Sequence, residues 1–265
     1  MFISATGLFL NPQAKAGAMT DPVQETAEKA GPLCVLFIGN SQCGACDLPR
    51  MVEELAAADK GGRRIIAGNG VLDGASLKKH WEAGEGPESA RGRILSEKWD
   101  FVVLQEIFCV DEAEFQLYAR LFHELIKGTG AQTLLFSTAS IIRGYPDGFE
   151  RLHRMHLAMS RELGVPFFDA SHAYFRYLGE NPSRERMESL FHRDLAHPGL
   201  WGSYLYACGL YSELTGRCPI GLPLIPAEAL RALQEAAWTQ HLETLSERRG
   251  GSHCCGQHQG VRDEN

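Results

Sequence analysis

The chain has 265 residues, with 33 Asp and Glu against 26 Lys and Arg and a formal net charge of -7. Its acidic balance excludes the broad phosphate-binding surface that nonspecific nucleic-acid binding requires, and no apolar run reaches the ~20 residues of a membrane-spanning helix. Hydrophobic residues at 44% and charged residues at 22% are ordinary for a globular protein of one large or two small domains.

Residues 1 to about 30 are polar and irregular and read as an N-terminal arm. Its apolar start, MFISATGLFL, is not preceded by Lys or Arg, which argues against a secretory signal. A cytoplasmic location is therefore expected, with a secreted or periplasmic one as the alternative. From Gly31 the pattern changes. LCVLFIG, beginning at Leu33, is a continuous apolar run of the kind buried on both faces of a sheet. LPRMVEELAAADK comes next at helical spacing, with Pro49 in the first turn. RRIIAGNG is a second strand, and GASLKKHWEAGEGPESARGRILSEK reads as one or two broken helices. WDFVVLQE is a third strand. DEAEFQLYARLFHELIKGTG is a helix opened by acids and closed by Lys and Gly. AQTLLFSTAS and GVPFFDAS are the fourth and fifth strands, separated by the helix GFERLHRMHLAMSRELG. GLWGSYLYACGLYSELTG is apolar nearly all round and should be a buried helix, and PAEALRALQEAAWTQHLETLSERR a long amphipathic one. The Gly-rich end closes the chain. This gives an arm (1–30), a folded domain (31–246) and a disordered tail (247–265).

Strands alternating with helices predict an α/β class protein: a three-layer α/β/α sandwich around a five-stranded parallel sheet of the flavodoxin-like kind. Ligands of such sheets bind beyond the carboxyl ends of the strands. That rule points to Gly39-Asn40-Ser41, Gly68-Asn69-Gly70, Gln105-Glu106, Ser137-Thr138 and Asp169. Ser41 is the nucleophile candidate, although a serine between strand and helix is also a common N-cap. A serine needs a base held by a carboxylate. Asp194 and His197, in HRDLAHPGLWGSY, supply that pair just before the buried helix.

The eight cysteines are no dense disulfide framework. Cys34, Cys109 and Cys208 sit in apolar company and read as core residues. Cys43 and Cys46 form a C-x-x-C at an expected helix N-terminus, where a thiol pKa falls. They open two alternatives: a thiol-based redox protein, or a metal site shared with His253, Cys254 or Cys255.

In order, FIGNSQCGACDLP, GASLKKHW, WDFVVLQE and the Asp-x-x-His block resemble the SGNH hydrolase superfamily, the GDSL-like esterases, over residues 33 to 216. The resemblance implies Ser41, His197 and Asp194 as a catalytic triad, and an oxyanion hole from the amides of Ser41 and Gly74. The superfamily's Gly-x-Asn block is replaced here by Leu104-Gln105-Glu106-Ile107, which makes Gln105 the substitute third donor. Asn40, His80 and Glu106 are expected to line the substrate cleft. The implied substrate is a small ester, often acetyl, on a carbohydrate or other small molecule, with no metal or organic cofactor. A noncatalytic carbohydrate-binding relative is the further alternative.

Overall fold

The computed structural model describes residues 31–222 and 228–249. The N-terminal arm, part of the apolar GLPLIPAEAL connection and the tail with His253, Cys254 and Cys255 lie outside them.

Five strands form one sheet: β1 (Leu33–Gly39), β2 (Ile65–Val71), β3 (Phe101–Gln105), β4 (Gln132–Ser137) and β5 (Phe167–Asp169). Their order is β2-β1-β3-β4-β5, and every neighbouring pair is parallel. The helices are α1 (Ser41–Gly44), α2 (Leu48–Ala58), α3 (Leu77–Glu82), α4 (Ala90–Ser96), α5 (Glu112–Thr129), α6 (Asp147–Leu163), α7 (Ala170–Leu178), α8 (Arg184–Leu190), α9 (Leu200–Thr215) and α10 (Glu228–Arg248). Short 3₁₀ turns occupy Ala45–Asp47 and Ile141–Arg143.

The continuous apolar run of β1 is explained by its place in the sheet. Successive side chains point to opposite faces, so Val35 and Phe37 enter a core beneath α2, α7, α9 and α10. Leu36 and Ile38 enter the other, beneath α3 to α6. Both faces are covered, giving the three-layer α/β/α sandwich expected from the alternation of elements. β2 lies at the edge and is correspondingly half exposed, which suits its Gly and Asn content.

Three local expectations change. Cys109 is exposed in the loop after β3, and Cys34 is only half-buried, so of the three core candidates only Cys208 is fully buried. Helices α7 and α8 occupy a stretch to which the sequence reading assigned no element. Helix α10 continues to Arg248, beyond the expected end of the folded part at 246.

Helix α9 is buried on nearly every side. It lies so close to β5 that a Cβ on Gly209 would stand 2.0 Å from the buried Phe168 ring. Overpacking of this kind costs ~1–3 kcal/mol. Gly209→Ala should therefore lower the unfolding free energy by that amount, read as a lower urea midpoint with an unchanged slope of the transition.

Candidate active site

β1 ends at Gly39, and the next residue sets the course of the chain. Asn40 is extended, at φ -126° and ψ -158°, and 1% exposed. Its Oδ1 accepts the Gln42 N–H at 3.0 Å, and its carbonyl accepts the Cys43 and Gly44 N–H groups at 2.8 and 3.0 Å. Asn40 is thus the N-cap of α1. Ser41 is the first residue of the turn, so its hydroxyl is not spent on capping and its N–H has no acceptor within the helix.

The Ser41 Oγ lies 3.0 Å from His197 Nε2, and His197 Nδ1 lies 2.7 Å from Asp194 Oδ2. The other carboxylate oxygen accepts the N–H groups of Ala196 at 2.9 Å and His197 at 3.1 Å. Burial works against the Asp194 charge, but these hydrogen bonds, led by that of the His197 ring, outweigh it and hold the carboxyl at about 2. An ionised Asp194 takes the Nδ1–H, which leaves Nε2 as the acceptor for the serine proton. His197 and Asp194 side chains are 40% and 49% exposed, so this end of the sheet opens to solvent.

Two further bonds set the separation of these loops. Gln42 Nε2 donates to the Ala196 carbonyl at 2.7 Å, joining the serine turn to the histidine loop. The Ile141 N–H donates to the Leu195 carbonyl at 3.0 Å. Leu195 has φ +54°, and Cys46 and Asp47, just beyond α1, have φ +54° and +51°. Non-glycine residues there cost ~1–3 kcal/mol each and persist only where surrounding contacts impose them.

The remaining expected site residues divide by exposure. Gly74, at φ +63°, is exposed in the loop after β2, and this loop is tied to the serine turn by Asn40 Nδ2 donating to the Ala75 carbonyl at 3.0 Å. Gln105 is placed otherwise than expected. It is fully buried, its Oε1 accepts the Asn40 N–H at 2.8 Å and its Nε2 donates to the Glu106 carbonyl at 2.5 Å. A carboxamide so engaged braces the serine turn from behind instead of facing an oxyanion. Asn40, His80 and Glu106 are 1%, 3% and 2% exposed, so they back the cleft and offer no surface to a substrate. His80 Nε2 donates to the Gly39 carbonyl at 2.8 Å, and burial lowers its pKa, which favours the neutral ring. Glu106 accepts the N–H of Ile107 at 2.6 Å and of Leu77 at 3.2 Å.

The C-x-x-C pair is split. Cys43 is fully buried beneath Gly39, and burial pushes its thiol pKa up, the reverse of the activation expected at a helix N-terminus. Cys46 is exposed, and both thiols are free. A further cluster was not foreseen: Asp169, at the end of β5, meets His153 and His172. Its Asp-x-x-His spacing repeats that of Asp194 and His197, the one sequence signal that could have found it.

Burial raises the Glu106 carboxyl from the ordinary 4.5 to about 7. The folded protein therefore holds this proton more tightly than the unfolded chain. The resulting stabilisation is full below the ordinary carboxylate range and is lost as pH rises through about 7. Glu106→Gln should remove that loss. Between pH 5 and pH 8 the wild type should lose on the order of 2 kcal/mol relative to the variant, as read by urea unfolding at each pH.

No family model and no curated protein matches the chain. Solved structures do. A DUF4886 family protein from Bacteroides uniformis superposes with a TM-score of 0.58 at 18% identity, covering 83% of this chain and 96% of that one. A catalytic mutant of Axe2, an acetylxylan esterase from Geobacillus stearothermophilus, gives 0.52 at 17% identity over 75% of this chain and 99% of that one. A lipolytic protein assigned to the G-D-S-L family, from Desulfitobacterium hafniense, gives 0.50 at 14% identity over 68% and 97%. The parallel five-stranded sheet and these superpositions together give the chain the fold of the SGNH, or G-D-S-L, hydrolases.

Proposed function

We propose that the protein is a serine ester hydrolase that removes small acyl groups, acetyl first among them, from a carbohydrate or similar alcohol. The observation that carries this reading is the continuous run of hydrogen bonds from Ser41 Oγ through His197 to Asp194, at 3.0 and 2.7 Å.

In this reading Ser41 Oγ attacks the ester carbonyl as His197 Nε2 takes its proton. Asp194 holds Nδ1–H and stabilises the imidazolium. The tetrahedral oxyanion is received by the Ser41 N–H and the Gly74 N–H, each such donor being typically worth ~3–4 kcal/mol. His197 then protonates the leaving alcohol, and a water activated by the same ring releases the acid from the acyl-enzyme. Gln105 is assigned no part in the oxyanion hole, because its amide is committed to the backbone behind Ser41.

The half-exposed triad suits an acyl group presented on a larger alcohol, since no deep enclosure would have to admit the whole substrate. Leu72, Ile142 and Leu200 are 43%, 56% and 47% exposed on segments that flank the triad and provide apolar contact at its rim. The description of Axe2 as an acetylxylan esterase supports acetylated sugar as the substrate class to try first. Among the described residues no helix is long and apolar enough to cross a membrane.

Hydrolysis of p-nitrophenyl acetate tests the reaction, and acetate release from acetylated xylo-oligosaccharides tests the substrate class. Ser41→Ala and His197→Ala should each lower kcat/KM by about three orders of magnitude or more. Cys43→Ala with Cys46→Ser should keep turnover, with or without reductant. Turnover that survives Ser41→Ala and disappears with the cysteines would return the assignment to the thiols. Sugar binding without turnover by the wild type would make the protein a binder.

A further inference from the structure

The loop that carries His197 is fixed in shape by its own bonds. The Leu195 N–H donates to the His192 carbonyl at 2.9 Å, and the His192 N–H to the His197 carbonyl at 2.9 Å. Phe191 and Pro198 pair as an isolated bridge, and the Gly199 N–H donates to the Leu190 carbonyl at 2.7 Å. A loop closed on itself in this way can still shift as a unit. Its placement over Ser41 therefore depends on bonds that reach it from outside.

Among the described residues, Arg184 reaches the Arg193 carbonyl at 3.3 Å from α8, the helix that leads into the loop. The Ile141 N–H reaches the Leu195 carbonyl at 3.0 Å from the chain after β4. Gln42 Nε2 reaches the Ala196 carbonyl at 2.7 Å. Of these three donors, Gln42 alone belongs to α1, the turn that holds Ser41.

The Gln42 bond also has a specific target. The Ala196 carbonyl and the His197 N–H belong to one planar peptide group. Asp194 Oδ1 accepts the N–H at 3.1 Å, and Gln42 donates to the carbonyl. Both ends of the unit that leads into His197 are thus held, one by the carboxylate of the triad and one by the neighbour of the serine. A carbonyl can only accept, so the Gln42 NH₂ must face it and Oε1 must turn away. That oxygen is buried, with no hydrogen-bond partner among the described residues, and Gln42 is 1% exposed. An unmet buried oxygen is costly. Packing alone would be served better by an apolar chain of the same length; what the amide adds is the bond. We infer that Gln42 is a positioning residue of the ester-hydrolysing site, setting the distance from His197 Nε2 to Ser41 Oγ. The inference rests on the reading of Ser41 and His197 as nucleophile and base.

Gln42→Met keeps the length of the side chain and removes the donor. His197 serves both acylation and deacylation, so both steps should slow together. On p-nitrophenyl acetate, kcat should fall about 10–100-fold while KM stays within about twofold. Active-site titration with a fluorophosphonate separates geometry from folding. Every site in the variant should still label, each at a rate lowered by a similar factor, with Tm close to that of the wild type. Gln42→Leu is the second variant, with the same outcome expected. A wild-type rate per site in either folded variant would overturn the proposal. So would a fall in Tm and in the number of reactive sites at an unchanged rate per site, or the failure of both variants to fold, since each makes the bond one of stability alone. Absence of wild-type turnover, or turnover that survives Ser41→Ala, would instead overturn the reading of the site, and the role of Gln42 with it.

Discussion

The backbone at the end of β1 must find hydrogen-bond partners where the sheet ladder stops, and the candidate active site is organised by how it does so. An unmet buried N–H or carbonyl costs more than a hydrogen bond gains. The Gly39 carbonyl is met twice, by the Leu72 N–H at 3.0 Å and by His80 at 2.8 Å. The Asn40 N–H is met by Gln105 reaching across from β3. That reach requires a residue without a side chain beneath it, because a Cβ on Gly39 would stand 2.5 Å from the Gln105 oxygen. Asn40 then spends its own side chain on both sides, on the serine turn and on the loop that carries Gly74.

These ties reach the two loops that the proposed chemistry needs. One bond holds the Gly74 loop to the serine turn through Asn40, and another holds the histidine loop to it through Gln42. The left-handed residues Cys46, Asp47 and Leu195 stand where the connecting chain must turn sharply to keep those bonds. The supporting layer is polar and buried, so it is sensitive to proton balance. His80 serves as a neutral donor, and Glu106 keeps a carboxyl in a setting that disfavours its charge.

Much of this was legible in the sequence, for physical reasons. A run as short as Leu33 to Ile38, closed by Gly39, fits a strand covered on both faces better than a helix, and its boundaries match β1. The order of Gly-Asn-Ser, Gly-x-x-Leu-x-x-His, WDFVVLQE and Asp-x-x-His indicated both the fold and the three residues now found in hydrogen-bonded sequence. The illegible part depends on distance across the sheet. Alternation along β3 assigns Gln105 to a face, but not to the backbone atom two residues beyond the neighbouring strand's last apolar side chain. The same limit applies to Cys43, whose helix-terminal position suggests reactivity while its actual burial suppresses it. Helices α7 and α8 were missed because Gly179 and Pro182 break the pattern between them, and their caps, Asp169 and Ser183, belong to residue types equally at home in loops.

The two Asp-x-x-His pairs show how far spacing can carry an argument. Both place an aspartate oxygen on an imidazole Nδ1, and in both the other oxygen accepts the histidine's own backbone N–H. Their consequences diverge with surroundings. Asp194 lies in an exposed loop turned by left-handed Leu195, and the ring it holds points its free nitrogen at a serine hydroxyl. Asp169 is sealed at a strand end, caps a helix and holds two stacked rings whose free nitrogens face carboxylates. One arrangement supplies a lone pair next to a proton donor, which is what a general base needs. The other turns the far nitrogens of both rings toward carboxylates, which offer no proton for a base to take. Local sequence sets the first bond of each pair; the partner on the far side of the ring sets the chemistry.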